Sequence, residues 1–261
     1  MKKIRVTIIA IISLTCFILI PCLYHSLAQE ATANTPGALF YQANIYYQEG
    51  KYDAAINNYE QIINRGLESG NLYYNLGNSY FKKGELGLAV LSYDRAKVFI
   101  PNDSDLSSNY EYALESLNLE HHLSASRFNK LVHKLFQHLT IDNLAILLSF
   151  IYIVLVIFFM LHLFSPGFKR LWLGFIYAST ILFVISAYAL NSKINYIDKT
   201  AVVLTKEAEV KFGPLENATT YFKLTEGDKV EVVEKAEGWY KARRFDNKIG
   251  WVRADFIRLI K

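Results

Sequence analysis

The chain repeats itself near its N-terminal end at an interval of 34 residues. Ala43 recurs as Gly77, Tyr46 as Tyr80, Gly50 as Gly84, Ala55 as Ala89 and Tyr59 as Tyr93. Self-similarity at such a period marks stacked helical units, none of which can bury its apolar face alone. The small residues of each unit let two helices approach closely. The tyrosines then fill the wider space between neighbouring pairs.

The spacing predicts a first repeat over 36–69, with one helix from Gly37 to Gln48 and a second from Tyr52 to Asn64. Gly50 and Gly84 fall in the turns, where the residue past a helix end commonly takes positive φ. The second repeat, 70–103, ends at Pro101, which cannot continue a helix. A third helix is expected to start with Ser104 as its N-cap. Its apolar positions Leu106, Tyr110, Ala113, Leu114 and Leu117 form one stripe. Glu111 stands where the repeat needs a small residue. This helix reads as a cap that closes the stack, in preference to a degenerate third repeat. The array then covers 36–118.

Two later segments lack Asp, Glu, Lys and Arg: Asn143 to Phe168 and Leu171 to Ser192. Each exceeds the roughly 20 residues a membrane-spanning helix needs. They predict a hairpin of spans 141–164 and 171–191, joined by the short loop Ser165-Pro-Gly-Phe-Lys-Arg170. Between array and hairpin, residues 119–140 carry Phe128, Leu131, Val132, Leu135, Phe136 and Leu139 at helical spacing among Arg127, Lys130 and Lys134. Two readings of this stretch stand side by side: an amphipathic helix on the bilayer surface, or an N-terminal extension of the first span.

The N-terminus has the layout of a signal peptide over 1–28. Lys2, Lys3 and Arg5 precede an uncharged stretch from Val6 to Leu23, and Ser26-Leu27-Ala28 suits cleavage after Ala28. An uncleaved anchor is the alternative. Thr15 and Pro21 precede Cys16 and Cys22, which disfavours a lipoprotein. Export would put both flanking modules in the periplasm of a bacterial inner (cytoplasmic) membrane protein. The Lys169-Arg170 loop would then be cytoplasmic, as positive loops tend to be.

Both cysteines lie in that first segment, so the remaining chain has no thiol for a disulfide, zinc cluster or nucleophile. Net charge is +4, too small a field to argue for nucleic acid. Its distribution is uneven. Residues 36–118 hold 6 basic and 10 acidic side chains, and 199–261 hold 13 and 10. That shift suggests separate modules.

From Ala201 onward the chain reads as small all-β. Ala201–Leu204, Lys229–Val233, Trp239–Ala242 and Ile249–Val252 have strand composition. Gly213-Pro214, Glu226-Gly-Asp228, Glu237-Gly238 and Asp246-Asn247 are turn signals. About five strands would make a small, partly open barrel.

Over 36–103 the sequence resembles the tetratricopeptide repeat family, most closely at Leu76-Gly-Asn-Ser-Tyr80 and Ala89 to Tyr93. Over 200–261 it resembles bacterial SH3 domains, through Val210-Lys-Phe-Gly-Pro214, Leu224-Thr-Glu-Gly-Asp-Lys-Val230, Gly238-Trp-Tyr-Lys241 and Gly250-Trp-Val252. Phe212 replaces an Arg that the family often has. The expected fold is therefore multidomain: an all-α tetratricopeptide array, a two-helix transmembrane hairpin and a C-terminal small all-β SH3-like barrel. The order of parts resembles the BatE-type proteins of bacterial aerotolerance operons. That resemblance implies a membrane complex with von Willebrand A-type Bat proteins.

The concave face of such an array binds extended peptides or helices. Phe40, Asn44, Tyr47, Tyr74, Asn78 and Phe81 are expected to line it. Phe40, Tyr74 and Ser108 stand where cations would help hold a C-terminal carboxylate, so an aromatic, amide-lined groove is favoured. Changing Asn44 and Asn78 to Ala is expected to weaken partner capture and leave folding nearly intact. On the barrel, Tyr221, Trp239 and Tyr240 are the candidate ligand contacts, suited to peptide stems or glycans, whereas Trp251 and Phe222 read as packing residues.

No GxSxG, HExxH, Walker loop or GxGxxG is present. His121, His122, His133 and His138 match no metal-binding spacing. His162, inside the first span, reads as an interfacial residue. No cofactor, no metal and no catalytic residue is expected. The sequence reads as a non-enzymatic adaptor. Peptidoglycan binding or wall sensing by the barrel is the alternative, and a hydrolase is the weakest option.

Overall fold

The computed structural model describes residues 34–119 and 127–261. The expected signal peptide, 1–28, lies outside the described residues, as do His121 and His122. The chain divides into two compact units, one ending at Glu68 and the other running from Ser69 to Lys261.

The first unit holds α1 (Pro36–Gln48) and α2 (Tyr52–Asn64). Thr35 caps α1 by accepting a hydrogen bond from the Ala38 N–H, and Pro36 occupies the first turn, where a missing N–H costs nothing. Leu39 and Ala43 of α1 are buried, as are Ala55, Ile56, Tyr59 and Ile62 of α2. Ala43, Ala55 and Tyr59 have no exposed surface, so the small residues sit where the helices meet.

The second unit begins with α3 (Gly70–Lys83), α4 (Leu86–Phe99) and α5 (Ser104–Ser116). Ser69 caps α3 through the Leu72 N–H, and Gly84 ends it in the left-handed region at φ 85°. Gly77 faces Tyr93 so closely that a Cβ there would lie 2.6 Å from the ring. The cap of α5 is Asp103, whose carboxylate accepts from the Leu106 N–H at 2.8 Å. Ser104, expected in that role, is the first helical residue instead. Asp, with a fuller negative charge, is the stronger acceptor for the N-terminal amides.

Next come α6 (Arg127–Phe136), α7 (Ile141–Phe164) and α8 (Lys169–Lys199). A short 3-10 turn, Pro166–Phe168, joins α7 to α8. Both are long and apolar enough to cross a membrane. The second helix runs past the expected span end at 191, because Lys193 to Lys199 continue the helix and deliver the chain directly into the first strand. Thr140 caps α7 through the Asn143 N–H, so α6 is a separate helix and not an extension of α7.

The C-terminal part is antiparallel: β1 (Thr200–Val203), β2 (Glu207–Lys211), β3 (Thr220–Thr225), β4 (Lys229–Ala236), β5 (Trp239–Arg243), β6 (Ile249–Arg253) and β7 (Ile257–Leu259). The strand order is β3-β2-β6-β5-β4-β1-β7. There are seven strands rather than five, and the sheet is not closed, since β3 and β7 each have one neighbour. The core is aliphatic, centred on Val203, Val210, Leu224, Val230, Val232, Val252 and Ile257.

Candidate functional site

The expected groove residues of α1 are Phe40, Asn44 and Tyr47, all half-buried. Phe40 meets the Tyr59 ring edge-on at 5.8 Å, and Tyr47 packs on Tyr52 at 5.7 Å. The Tyr59 hydroxyl donates to Asn44 Oδ1 at 2.6 Å. Asn44 therefore ties α1 to α2 within the repeat.

The second repeat uses the same device. Tyr93 donates to Asn78 Oδ1 at 2.8 Å. Here α5 adds a further partner, because Asn109 Nδ2 donates both to Asn78 Oδ1 and to the Tyr74 hydroxyl, each at 2.9 Å. Phe81 of α3 lies 5.4 Å from the Tyr112 ring of α5. The amide carbonyls of Asn44 and Asn78 are thus committed to internal bonds. Replacing either asparagine removes a tyrosine–amide bond, so a cost to folding is now expected where the sequence alone suggested little.

Sequence reasoning missed a cluster in which the repeat, the cap helix, the end of α8 and the sheet meet. Asp94 of α4 is 4 % exposed. Its Oδ1 accepts from Lys229 Nζ at 2.8 Å, from the Tyr110 hydroxyl at 3.1 Å and from the Tyr196 hydroxyl at 3.5 Å. Lys229 also donates to the Tyr110 and Tyr196 oxygens. Burial pulls the Lys229 ammonium down, but Asp94 and the two phenol oxygens outweigh it and hold the group well above its usual value. Burial and then the Asp94 charge push the Tyr110 phenol well up. Lys97, over the Tyr110 ring at 4.4 Å, is lowered by burial. Lys229 is therefore protonated and the two phenols are neutral at physiological pH.

Around it the seam is closed by backbone contacts. Glu226, in the turn before β4, accepts from the Gly87 N–H at 2.7 Å and so caps α4 from the sheet. Arg95 donates to Ile260 O at 2.7 Å and Leu259 O at 3.1 Å, fastening the last strand to the same helix. Gly87 approaches so closely that a Cβ would lie 2.8 Å from Val203 O. The hint in the sequence was α4 itself, which is apolar on nearly every side, as only a helix covered on more than one face should be.

On the sheet, Trp239 and Tyr240 are consecutive in β5, so their side chains leave opposite faces. Tyr240 packs against the aliphatic core. Trp239 is 8 % exposed, with Lys211 Nζ 5.8 Å from its ring. The sheet does not bring Tyr221, Trp239 and Tyr240 together. Tyr221 instead lies 4.5 Å from Phe212, and both are exposed. Phe222 follows at 5.2 Å from Tyr221. The Arg244 guanidinium stacks on Phe222 at 4.7 Å and on Phe245 at 5.6 Å. Asp246 fixes it with hydrogen bonds of 3.0 and 2.7 Å, and Arg244 in turn holds the Asp246 carboxyl far below the usual carboxylate range. Trp251 is half-exposed beneath Lys241.

Among the described residues, no three His, Cys, Asp or Glu side chains are grouped to hold a metal. His138 bonds through Nδ1 to Asn102 Oδ1 at 2.6 Å, and His162 Nδ1 lies 3.3 Å from Lys169 O.

Comparison with known families matches residues 40–104 to the tetratricopeptide repeat and residues 206–258 to the bacterial SH3 domain. The chain thus carries helical repeats of tetratricopeptide type and a domain of bacterial SH3 type, separated in sequence by two helices able to span a bilayer. No curated protein matches the chain.

Proposed function

We propose that this chain is a non-enzymatic, membrane-anchored adaptor of the bacterial cell envelope that mediates protein–protein interactions. The hairpin α7–α8 spans the inner membrane with the Ser165–Arg170 loop in the cytoplasm, and both soluble modules are periplasmic. The partner is a protein segment that meets an aromatic edge of a repeat, the candidate edges being Phe40 and Tyr47 on α1 of the first unit and, separately, Tyr74 and Phe81 on α3 of the second. Asn44 and Asn78 hold those helices in place. The process is that of the BatE-type proteins, with von Willebrand A-type Bat membrane proteins as partners.

The observation that carries the reading is the Asp94–Lys229 cluster. It joins the second repeat to the sheet and to the end of α8, so load on the repeat passes to the membrane helix through packed side chains rather than a flexible linker. A second reading has its own support: the exposed Phe212–Tyr221 pair on a domain of bacterial SH3 type suits peptidoglycan, with the repeat as its reporter.

Full-length chain purified in detergent separates the two. An adaptor captures membrane proteins from solubilised envelopes, and Tyr47→Ala with Phe81→Ala reduces that capture while the far-ultraviolet circular dichroism spectrum stays unchanged. A wall binder co-sediments with peptidoglycan and loses this with Phe212→Ala and Tyr221→Ala. Sedimentation without capture overturns the adaptor reading.

A further inference from the structure

Helix α6 is amphipathic and only partly covered. Val132 is 4 % exposed and packs on Leu144 of α7 and Ala189 of α8, with Phe136 and Leu139 beside it. This contact sits at the end of the hairpin away from the Pro166–Phe168 turn. Two further bonds hold the helix there. Lys193 of α8 donates to Leu139 O, and Asn102 donates to His138 O at 3.0 Å. Leu131 and Leu135, one turn apart and so on one face, are nevertheless 55 % and 62 % exposed, with Lys134 exposed beside them. The adjoining helix exposes Ile146 and Phe150, the surface that faces lipid if the hairpin spans a bilayer.

Charge narrows the occupant of that uncovered face. Between Glu120 and Asp142 the chain carries Arg127, Lys130 and Lys134 and no acidic residue. A protein groove would leave these cations to find individual partners. An anionic headgroup layer neutralises them together while its acyl boundary takes the leucines.

We infer that α6 lies in the membrane interface, with Leu131 and Leu135 inserted below the headgroups and the net positive charge of the segment drawing it to anionic lipid. It thereby sets the height and tilt of the repeat above the bilayer, because Asn102 links the α4–α5 turn to His138. The inference rests on the membrane-spanning reading of α7 and α8.

The test uses the full chain with Cys16 and Cys22 changed to Ser, reconstituted into vesicles of phosphatidylcholine with phosphatidylglycerol. Nitroxide labels at Leu131→Cys, Leu135→Cys, Tyr152→Cys and Glu115→Cys report depth by their accessibility to oxygen against a water-soluble nickel chelate. Labels at 131 and 135 are expected to favour oxygen several-fold more than the label at 115, and less than the label at 152. The ratios at 131 and 135 should fall in phosphatidylcholine alone, and fall likewise when Arg127, Lys130 and Lys134 are all changed to Gln. A lipid-like ratio at 152 with a water-like ratio at 131 and 135 overturns the inference and leaves the spanning hairpin standing. Labels at 131 and 135 shielded from both reagents indicate a protein cover and also overturn it. A ratio indifferent to lipid charge overturns the anionic specificity. A water-like ratio at 152 overturns the membrane reading and this inference with it.

Discussion

Asp94 and Lys229 lie 135 residues apart in the chain, and the Lys229 ammonium donates to Asp94 Oδ1 at 2.8 Å. Asp94 is nearly inaccessible, while the Lys229 side chain keeps 29 % of its exposure. A pair of this kind adds little net stability, because both charges lose water, yet removing one partner strands the other. Lys229→Met should therefore destabilise the 69–261 unit by about 3 kcal/mol, the lower end for a buried pair with one member part-exposed. Combining it with Asp94→Leu should recover much of that loss. Denaturant unfolding of the detergent-solubilised chain, read as a double-mutant cycle, measures the coupling. Additive losses would mean that the pair does not hold the seam.

The same cluster should give the unit an alkaline limit. The folded state holds the Lys229 and Tyr110 protons above their ordinary values, about 10.4 and 10. Above those values the unfolded chain has released protons that the folded chain still binds. Stability from the cluster is thus fully present below about pH 10 and is lost as the pH rises through the folded values. Thermal melts from pH 8 to 11.5 should fall steeply above pH 10 for the native chain. With Lys229→Met and Asp94→Leu together, the decline should be shallower.

Gly87→Ala probes the seam without touching a charge. Its Cβ would lie 2.8 Å from the backbone carbonyl of Val203, an atom that cannot swing aside. Overpacking of this kind costs about 1–3 kcal/mol. The expected signature is faster amide exchange in β1 and in the first turn of α4, with α1 and α2 unchanged. Uniform exchange across both units would contradict the contact.

Gly77→Leu tests the register of the repeat. Even a methyl at this position meets the Tyr93 ring, and the Tyr93 hydroxyl is tied to Asn78. A loss of at least about 1–3 kcal/mol is expected. An unchanged melting temperature would show that α3 and α4 do not meet at this pair.

Asn44→Ala and Asn78→Ala should each destabilise their own repeat by about 1–3 kcal/mol, since each removes the acceptor of a largely buried tyrosine hydroxyl. Tyr59→Phe in the Asn44→Ala background should add little further loss. A full additive penalty there would refute the hydroxyl–amide bond.

Local patterns carried much of the architecture. Small and aromatic residues at a 34-residue interval mark helix faces directly, and Ala43, Gly77, Ala55, Ala89, Tyr59 and Tyr93 all sit in helix contacts. The strands were harder to read. In β2, Glu207, Glu209 and Lys211 alternate with Ala208 and Val210, so half its residues look like loop, and β7 is only three residues long. The side chains of Trp239 and Tyr240 form a pair in sequence and not in space, because the strand pleat separates them. The apolar character of α4 hinted at a covered helix, but the Asp94–Lys229 pair itself was beyond local pattern: a buried charge has no periodicity, and its partner is chosen by how the sheet packs. The bonds of the asparagines are hidden from the sequence for a related reason. An amide on α1 or α3 looks open until the tyrosine 15 residues later is seen to reach it.

Membrane topology tests the adaptor reading most directly. Single cysteines at Glu49, Gly167 and Asn217, in a chain with Cys16 and Cys22 changed to Ser, can be reacted with an impermeant maleimide in cells whose outer membrane alone has been opened. Glu49→Cys and Asn217→Cys should label at once, and Gly167→Cys only after the inner membrane is lysed. Labelling of all three before lysis, or protection of Asn217→Cys, would contradict a hairpin that anchors both modules in the periplasm.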